Sequence, residues 1–123
     1  MLKVCLIDDD DLVRGALTLG LEDGGYQVFA ADDGASGLAL IERERPDAVM
    51  TDLRMPGLDG SALIGAIRMR FPNLPIVAMS GQDGEADLSG ADVFLRKPFK
   101  IGDVSAALRA ARERHQGVGP ESQ

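Results

Sequence analysis

The stretch Leu2-Lys3-Val4-Cys5-Leu6-Ile7-Asp8-Asp9-Asp10-Asp11-Leu12-Val13 decides the fold. A nearly unbroken apolar run meets four consecutive acids, and the residues after them take up helical spacing. A strand that is apolar on successive positions is one covered on both faces, as in parallel sheets. Val13, Ala16 and Leu17 then share one helix face. Asp10 or Asp11 is placed to cap that helix, and Gly24-Gly25 to stop it.

The same strand-then-helix unit recurs along the chain. Leu2–Ile7, Tyr26–Ala30, Asp47–Thr51, Ile76–Met79 and Val93–Leu95 read as strands. Between them, Ala35, Leu38 and Ala39 stripe a second helix, capped by Asp32 or Asp33 and ended by Pro46. Leu63, Ala66 and Ile67 stripe a third, which Pro72 closes, and Val104, Ala107, Leu108 and Ala111 stripe the last. Gln82–Asp92 is polar and holds Gly84 and Gly90, so the fourth helix is expected to be short or irregular. The alternation implies an α/β fold: a five-stranded parallel sheet with right-handed crossovers and helices on both faces. Residues 1–115 are expected to form one domain, and 116–123 a flexible tail or the start of a linker.

The bulk numbers agree with a single domain. The chain has 123 residues, 45% hydrophobic and 27% charged, with a net charge of −7. That balance argues against direct nucleic-acid binding and against an anionic membrane surface, since both need a basic face. One cysteine, Cys5, excludes a disulfide framework and reads as a buried small hydrophobe. Neither a transmembrane span nor a signal peptide is evident, so a cytoplasmic location is expected.

In parallel sheets of this kind, ligands bind outside the carboxyl ends of the strands. That edge collects Asp8 to Asp11 after the first strand, Asp52 after the third, Ser80 after the fourth and Arg96-Lys97-Pro98 after the fifth. Crowded carboxylates repel, and a hard cation relieves them. Magnesium, with its preference for oxygen ligands, suits Asp8, Asp9 and Asp52. Lys97 is a point charge fit for a phosphoryl oxygen, and Ser80 offers a hydroxyl to a second one. Pro98 restricts Lys97 to extended backbone and permits a cis bond. A carboxylate between a metal and an ammonium is suited to accept phosphate covalently. Pro56, Gly57 and Gly60 shape a tight loop after Asp52, and Asp59 can cap the third helix.

Singly, these residues have ordinary readings. Asp8–Asp11 would be a helix start, Asp52 and Ser80 turn residues, Lys97 a solvated lysine, Phe94 a packed core aromatic and His115 a solvated residue with no partner. Their joint placement carries the argument. The acidic run is no EF-hand loop, because Leu12 and Val13 stand where a ligand and a glycine are needed.

Ile7-Asp8-Asp9, the Asp52 to Gly60 loop, Ser80-Gly81 and Lys97-Pro98-Phe99 together resemble the receiver domain of two-component response regulators, over about Leu2 to Arg114. Arg14 also suits the family's first helix. The resemblance implies a flavodoxin-like (βα)5 fold and a phosphoacceptor role for Asp52. It implies Mg2+ bound by Asp9, Asp52 and the backbone carbonyl of Arg54, with Asp8 acting through water. Ser80 and Lys97 would contact the phosphoryl group, and Phe94 would be the aromatic that follows Ser80 on switching. The implied partners are a histidine kinase or histidine phosphotransfer protein and an unidentified downstream effector, with a homodimer among the options. Enzymatic activity would extend only to the chain's own aspartyl phosphorylation and dephosphorylation.

Two departures stand out. The interval from Ser80 to Lys97 is several residues shorter than is usual in the family, which bears on its common output face. Lys100 occupies a position where a capping Asp or Ser is common, and Asp103 then offers a carboxylate to that first turn. A second class of function stays open: an aspartate-nucleophile phosphohydrolase using Asp8 and Asp10. Leu12, where such enzymes carry Thr or Val, and the lack of room for a cap domain speak against it. A receiver fold signalling without phosphate would be expected to have lost one of Asp8, Asp9, Asp52, Ser80 or Lys97.

Overall fold

The structure, a computed structural model, describes residues 1–53, 60–81 and 90–116. Five strands form one parallel sheet: β1 (Lys3–Ile7), β2 (Gln27–Ala31), β3 (Ala48–Asp52), β4 (Ile76–Ser80) and β5 (Val93–Arg96), in the order β2-β1-β3-β4-β5. Four helices are described: α1 (Asp11–Asp23), α2 (Gly34–Glu44), α3 (Gly60–Arg70) and α4 (Ile101–Gln116). The expected short fourth helix, the Asp59 cap and the tail beyond residue 116 lie outside the described residues.

Alternate residues of each strand feed opposite faces of the sheet. Val4, Leu6, Met50, Val77 and Met79 meet Leu17 and Leu21 of α1 and Val104, Leu108 and Ala111 of α4. Cys5, Ile7, Val49, Ile76 and Ala78 meet Ile41 of α2 and Leu63, Ile64 and Ile67 of α3. The central strands are therefore apolar at nearly every position because both of their faces are covered. Each fully buried Leu or Ile in these two layers contributes about 2 kcal/mol. Cys5 belongs to this packing; burial pushes its thiol up to about 12, so it stays uncharged.

Helix ends follow from single residues. Asp10 caps α1, its carboxylate accepting from the backbone N–H of Leu12 at 2.9 Å and Val13 at 3.2 Å. Asp33 caps α2 through Ser36 N–H at 2.8 Å. Asp103 reaches back to accept from the N–H of Lys100 at 2.9 Å, the returning half of a capping box at the start of α4. Arg45 closes α2 in the left-handed region, φ 49°, just before Pro46. Gly37 lets α2 approach β1 closely, since a Cβ there would sit 2.4 Å from Ile7 Cδ1. The Lys97–Pro98 bond is cis.

Candidate functional site

Every strand that carries a predicted site residue ends at the same edge. Asp52 is the last residue of β3 and Ser80 the last of β4. Asp8 and Asp9 follow β1 directly, and Lys97 follows β5. The sheet register then assembles them: Asp52 lies opposite Met79, and Ser80 opposite Arg96. The Lys97 N–H donates to the Ser80 carbonyl at 2.7 Å, so Ser80 and Lys97 share a backbone bond.

Carboxylate oxygens of Asp8, Asp9 and Asp52 lie within 4.8 Å of one another. Asp8, Asp52 and Ser80 are buried, and Asp9 is exposed at the mouth. Asp8 Oδ1 accepts from the Asp10 N–H at 2.9 Å, while Asp8 Oδ2 is buried with no hydrogen-bond partner. Burial holds the Asp8 carboxyl above the ordinary carboxylate range. The Asp10 N–H opposes that shift, the charge of Asp52 adds to it, Lys97 opposes it, and Asp9 adds to it. Lys97 Nζ donates to Asp52 Oδ2 at 2.9 Å and stands 3.9 Å from Asp8 Oδ2. Its own desolvation works to lower its pKa, but the bond to Asp52 and the charges of Asp52, Asp8 and Asp10 together raise it. Lys97 is therefore a fixed cation facing three acids.

An orphaned buried carboxylate oxygen beside two more carboxylates is the donor set of a hard divalent cation, so the residues present fit Mg2+. The Arg54 carbonyl lies outside the described residues. Asp10, the alternative partner of Asp8 in a hydrolase, is spent on the helix cap. Phe94 sits half-buried on β5 opposite Ala78, packed against the α2–α3 side of the sheet.

Residues 4–109 match the pattern of the response regulator receiver domain. The chain belongs to that family. Receiver domains as a family take a phosphoryl group on an aspartate with Mg2+. This one is 36% identical to response regulator MprA of Mycobacterium sp. strain KMS over 126 residues, covering 98% of this chain and 55% of that protein. It is 37% identical to response regulator MprA of Mycolicibacterium vanbaalenii, over 91% of this chain and 51% of that protein. The chain thus spans about half the length of the curated relatives it matches. Among solved structures it resembles a response regulator receiver domain protein of Clostridium thermocellum, with a TM-score of 0.87 and 28% identity over 97% of this chain and 100% of that one. It also resembles chemotaxis protein CheY4 of Vibrio cholerae, with a TM-score of 0.84 and 29% identity over 90% and 98%. The receiver domain is therefore flavodoxin-like, in line with the sequence expectation.

Two features of this receiver domain escaped the sequence. Arg14 does more than suit α1: its Nη1 donates to the Asp8 carbonyl at 2.8 Å and its Nη2 to Asp11 Oδ1 at 2.5 Å. His115, expected to be solvated and unpartnered, instead lies 3.0 Å from both carboxylate oxygens of Asp92. Asp92 also accepts from Arg68 Nη2 at 2.7 Å and from the Ile76 N–H at 2.8 Å. Asp92 directly precedes β5, at the edge of the sheet opposite the acidic cluster, so it ties α3, β4 and α4 together there.

Proposed function

We propose that Asp52 is the phosphoacceptor of this receiver domain, that Asp8, Asp9, Asp52 and the Arg54 carbonyl hold Mg2+, and that Ser80 and Lys97 receive the phosphoryl oxygens. The contact from Lys97 Nζ to Asp52 Oδ2, beside the orphaned Asp8 oxygen, carries this reading. A bound Mg2+ would supply charge neutralisation for the transferring phosphoryl group. The chain's own groups do the rest. An Asp52 carboxylate oxygen forms a bond to phosphorus as the donor's bond breaks, and the leaving group departs as acetate from acetyl phosphate, or as imidazole from a phosphohistidine. Lys97, released from Asp52, stays within reach of a phosphoryl oxygen. Ser80 turns its hydroxyl to another, and Phe94 follows into the space vacated, which changes the surface near β5.

In this reading the chain catalyses only its own phosphorylation and dephosphorylation. The donor is a histidine kinase or histidine phosphotransfer protein in the cytoplasm. An apolar cavity of about 340 Å3 lined by Val13, Ala16, Leu17, Lys97, Pro98 and Phe99 supports a protein donor, since it opens beside Lys97. Leu12, 85% exposed on α1, adds apolar surface on the same helix. Among the described residues no helix is long and apolar enough to cross a membrane. Residues 1–115 would form the receiver unit and 116–123 a tail or linker. A downstream effector protein or domain reads the switched surface, and a homodimer is a further option of this reading.

The test is intact mass after incubation with acetyl phosphate, with and without Mg2+, for wild type, Asp52→Asn and Asp8→Asn. A gain of one phosphate that needs both Mg2+ and Asp52 is the expected result. Phosphate retained in Asp52→Asn would overturn the assignment.

A further inference from the structure

Four consecutive aspartates pose a problem of allocation. Left to themselves they would repel and compete for any cation at the strand edge. In the structure each has a separate task. Asp8 is buried, with Oδ1 on the Asp10 N–H. Asp9 faces the cluster with Asp8 and Asp52. Asp10 caps α1. Asp11 pairs with Arg14 at 2.5 Å.

Arg14 acts at two of these four places through one planar fork. Its Nη2 takes Asp11 into an ion pair. Its Nη1 bonds the Asp8 carbonyl at 2.8 Å, and that carbonyl belongs to the peptide unit joining Asp8 to Asp9. A peptide unit is planar, so a bond to its oxygen sets the orientation of the N–H and Cα from which the Asp9 side chain departs. The Asp8 N–H is held on the other side by the Ala31 carbonyl at 3.1 Å. Arg14 is itself carried on the first turns of α1, where its own N–H bonds the Asp10 carbonyl at 2.9 Å and its carbonyl accepts from Thr18 Oγ1 at 2.8 Å.

We propose that Arg14 is a positioning residue for the cation site: by bonding the Asp8 carbonyl and withdrawing Asp11, it aims Asp8 and Asp9 at the space they share with Asp52. This rests on the reading of Asp8, Asp9 and Asp52 as Mg2+ ligands. Arg14 touches neither the cation nor the phosphoryl group.

The sign of one measurement separates geometry from charge. A guanidinium near a cation site repels the cation, so on Coulombic grounds alone its removal tightens binding. If Arg14 aims the ligands, its removal loosens binding instead, as loss of a ligand's supporting partner does. Lysine keeps the charge but has no planar fork to span two acceptors. Mg2+ binding would be followed by titration calorimetry for wild type, Arg14→Gln and Arg14→Lys, with melting in chelator recorded for each. The expected result is that both variants bind Mg2+ about tenfold more weakly. Should Arg14→Gln fail to fold, Arg14→Lys decides. Unchanged or tighter binding in Arg14→Gln overturns the proposal, and so does wild-type affinity in Arg14→Lys, because the two-point fork would then be dispensable. Failure of the wild type itself to bind Mg2+ would instead strike the underlying assignment of the three aspartates, and this proposal with it.

Discussion

Lys97 Nζ and Asp52 Oδ2 lie 2.9 Å apart, an ammonium from the end of β5 bonded to a carboxylate from the end of β3. The pair needs the intervening strand β4 to set its spacing, so the contact is made by the sheet and not by local sequence. Replacing Lys97 by Met keeps the apolar stem and removes the charge. Phosphoryl uptake from acetyl phosphate, read by mass against time, is expected to slow by about 100-fold, the usual scale for losing one preorganised charge stabiliser. Mg2+ binding by the same variant is expected to tighten, since one repelling cation has gone.

Asp8 carries the strain of the acidic cluster. Burial, then Asp52 and Asp9, push its carboxyl pKa up against the opposing Asp10 N–H and Lys97. Asn at this position keeps an oxygen for the Asp10 N–H and sheds the charge. Asp8→Asn is expected to be more stable than wild type in chelator at neutral pH, by about 1 kcal/mol, and to lose the rise in melting temperature that Mg2+ gives the wild type. Paired thermal melts with and without Mg2+ check both halves.

Asp92 should set an acid limit to stability. Burial alone would raise its pKa, but bonds from Arg68, the Ile76 N–H and His115, with the charge of Arg68, outweigh burial and lower it. A carboxyl held lower in the folded state than in the unfolded one stabilises the fold above its ordinary value of 3.8, and that contribution is lost as pH falls through the lower folded value. Asp92→Asn is expected to cost about 1 kcal/mol at pH 7. Urea unfolding of both proteins down the acid range should show the gap persisting to about pH 4 and closing only below it. A gap that stays constant into strong acid would show that the charge of Asp92 is not what matters.

Gly37 marks a close approach next to the site. An added Cβ would meet Ile7 Cδ1 at 2.4 Å and Cγ1 at 2.8 Å, and Ile7 is fully buried. Gly37→Ala is therefore expected to destabilise by about 1–3 kcal/mol despite alanine's better helix propensity. Chemical denaturation gives the number, and a stabilised variant would mean that Ile7 can yield.

Phe94 is half-buried and makes no part of the acidic cluster. Phe94→Ala is expected to take up phosphate at the wild-type rate while losing much of the phosphorylation-dependent change in amide NMR shifts around β4 and β5. A full response in that variant would remove Phe94 from the switch.

The sequence disclosed the sheet, and the edge where the candidate site residues gather, because apolar runs and the residues that end them are local signals. Apolar runs mark β1, β3 and β4 wherever two faces are covered, and the observed strands differ from the expected ones by a residue at their ends. Asp10, Asp33 and Asp103 were legible as helix-start carboxylates because capping acts over two or three residues. Asp52 and Lys97 were legible because parallel strands must deliver their carboxyl ends to one edge. What stayed hidden is long-range or orientational. The partnership of His115 with Asp92 joins residues 23 positions apart, and nothing near His115 announces it. Arg14 reads as a common helix residue until its two hydrogen bonds are visible. Arg45 in the left-handed region was masked by Pro46, which accounts for the end of α2 without requiring that conformation.

The last turn of α4 is fastened to the start of β5 twice: Arg114 Nη1 bonds the Asp92 carbonyl at 2.9 Å, and His115 bonds its carboxylate. Helix α4 therefore behaves mechanically as a mast stepped into the sheet. A rigid helical extension grafted in phase after Gln116 would advance about 1.5 Å per residue, and its compass bearing would be fixed by these two bonds. A fluorophore carried there would report rotation of the sheet edge, and cutting the Asp92 bonds would set it free to swivel.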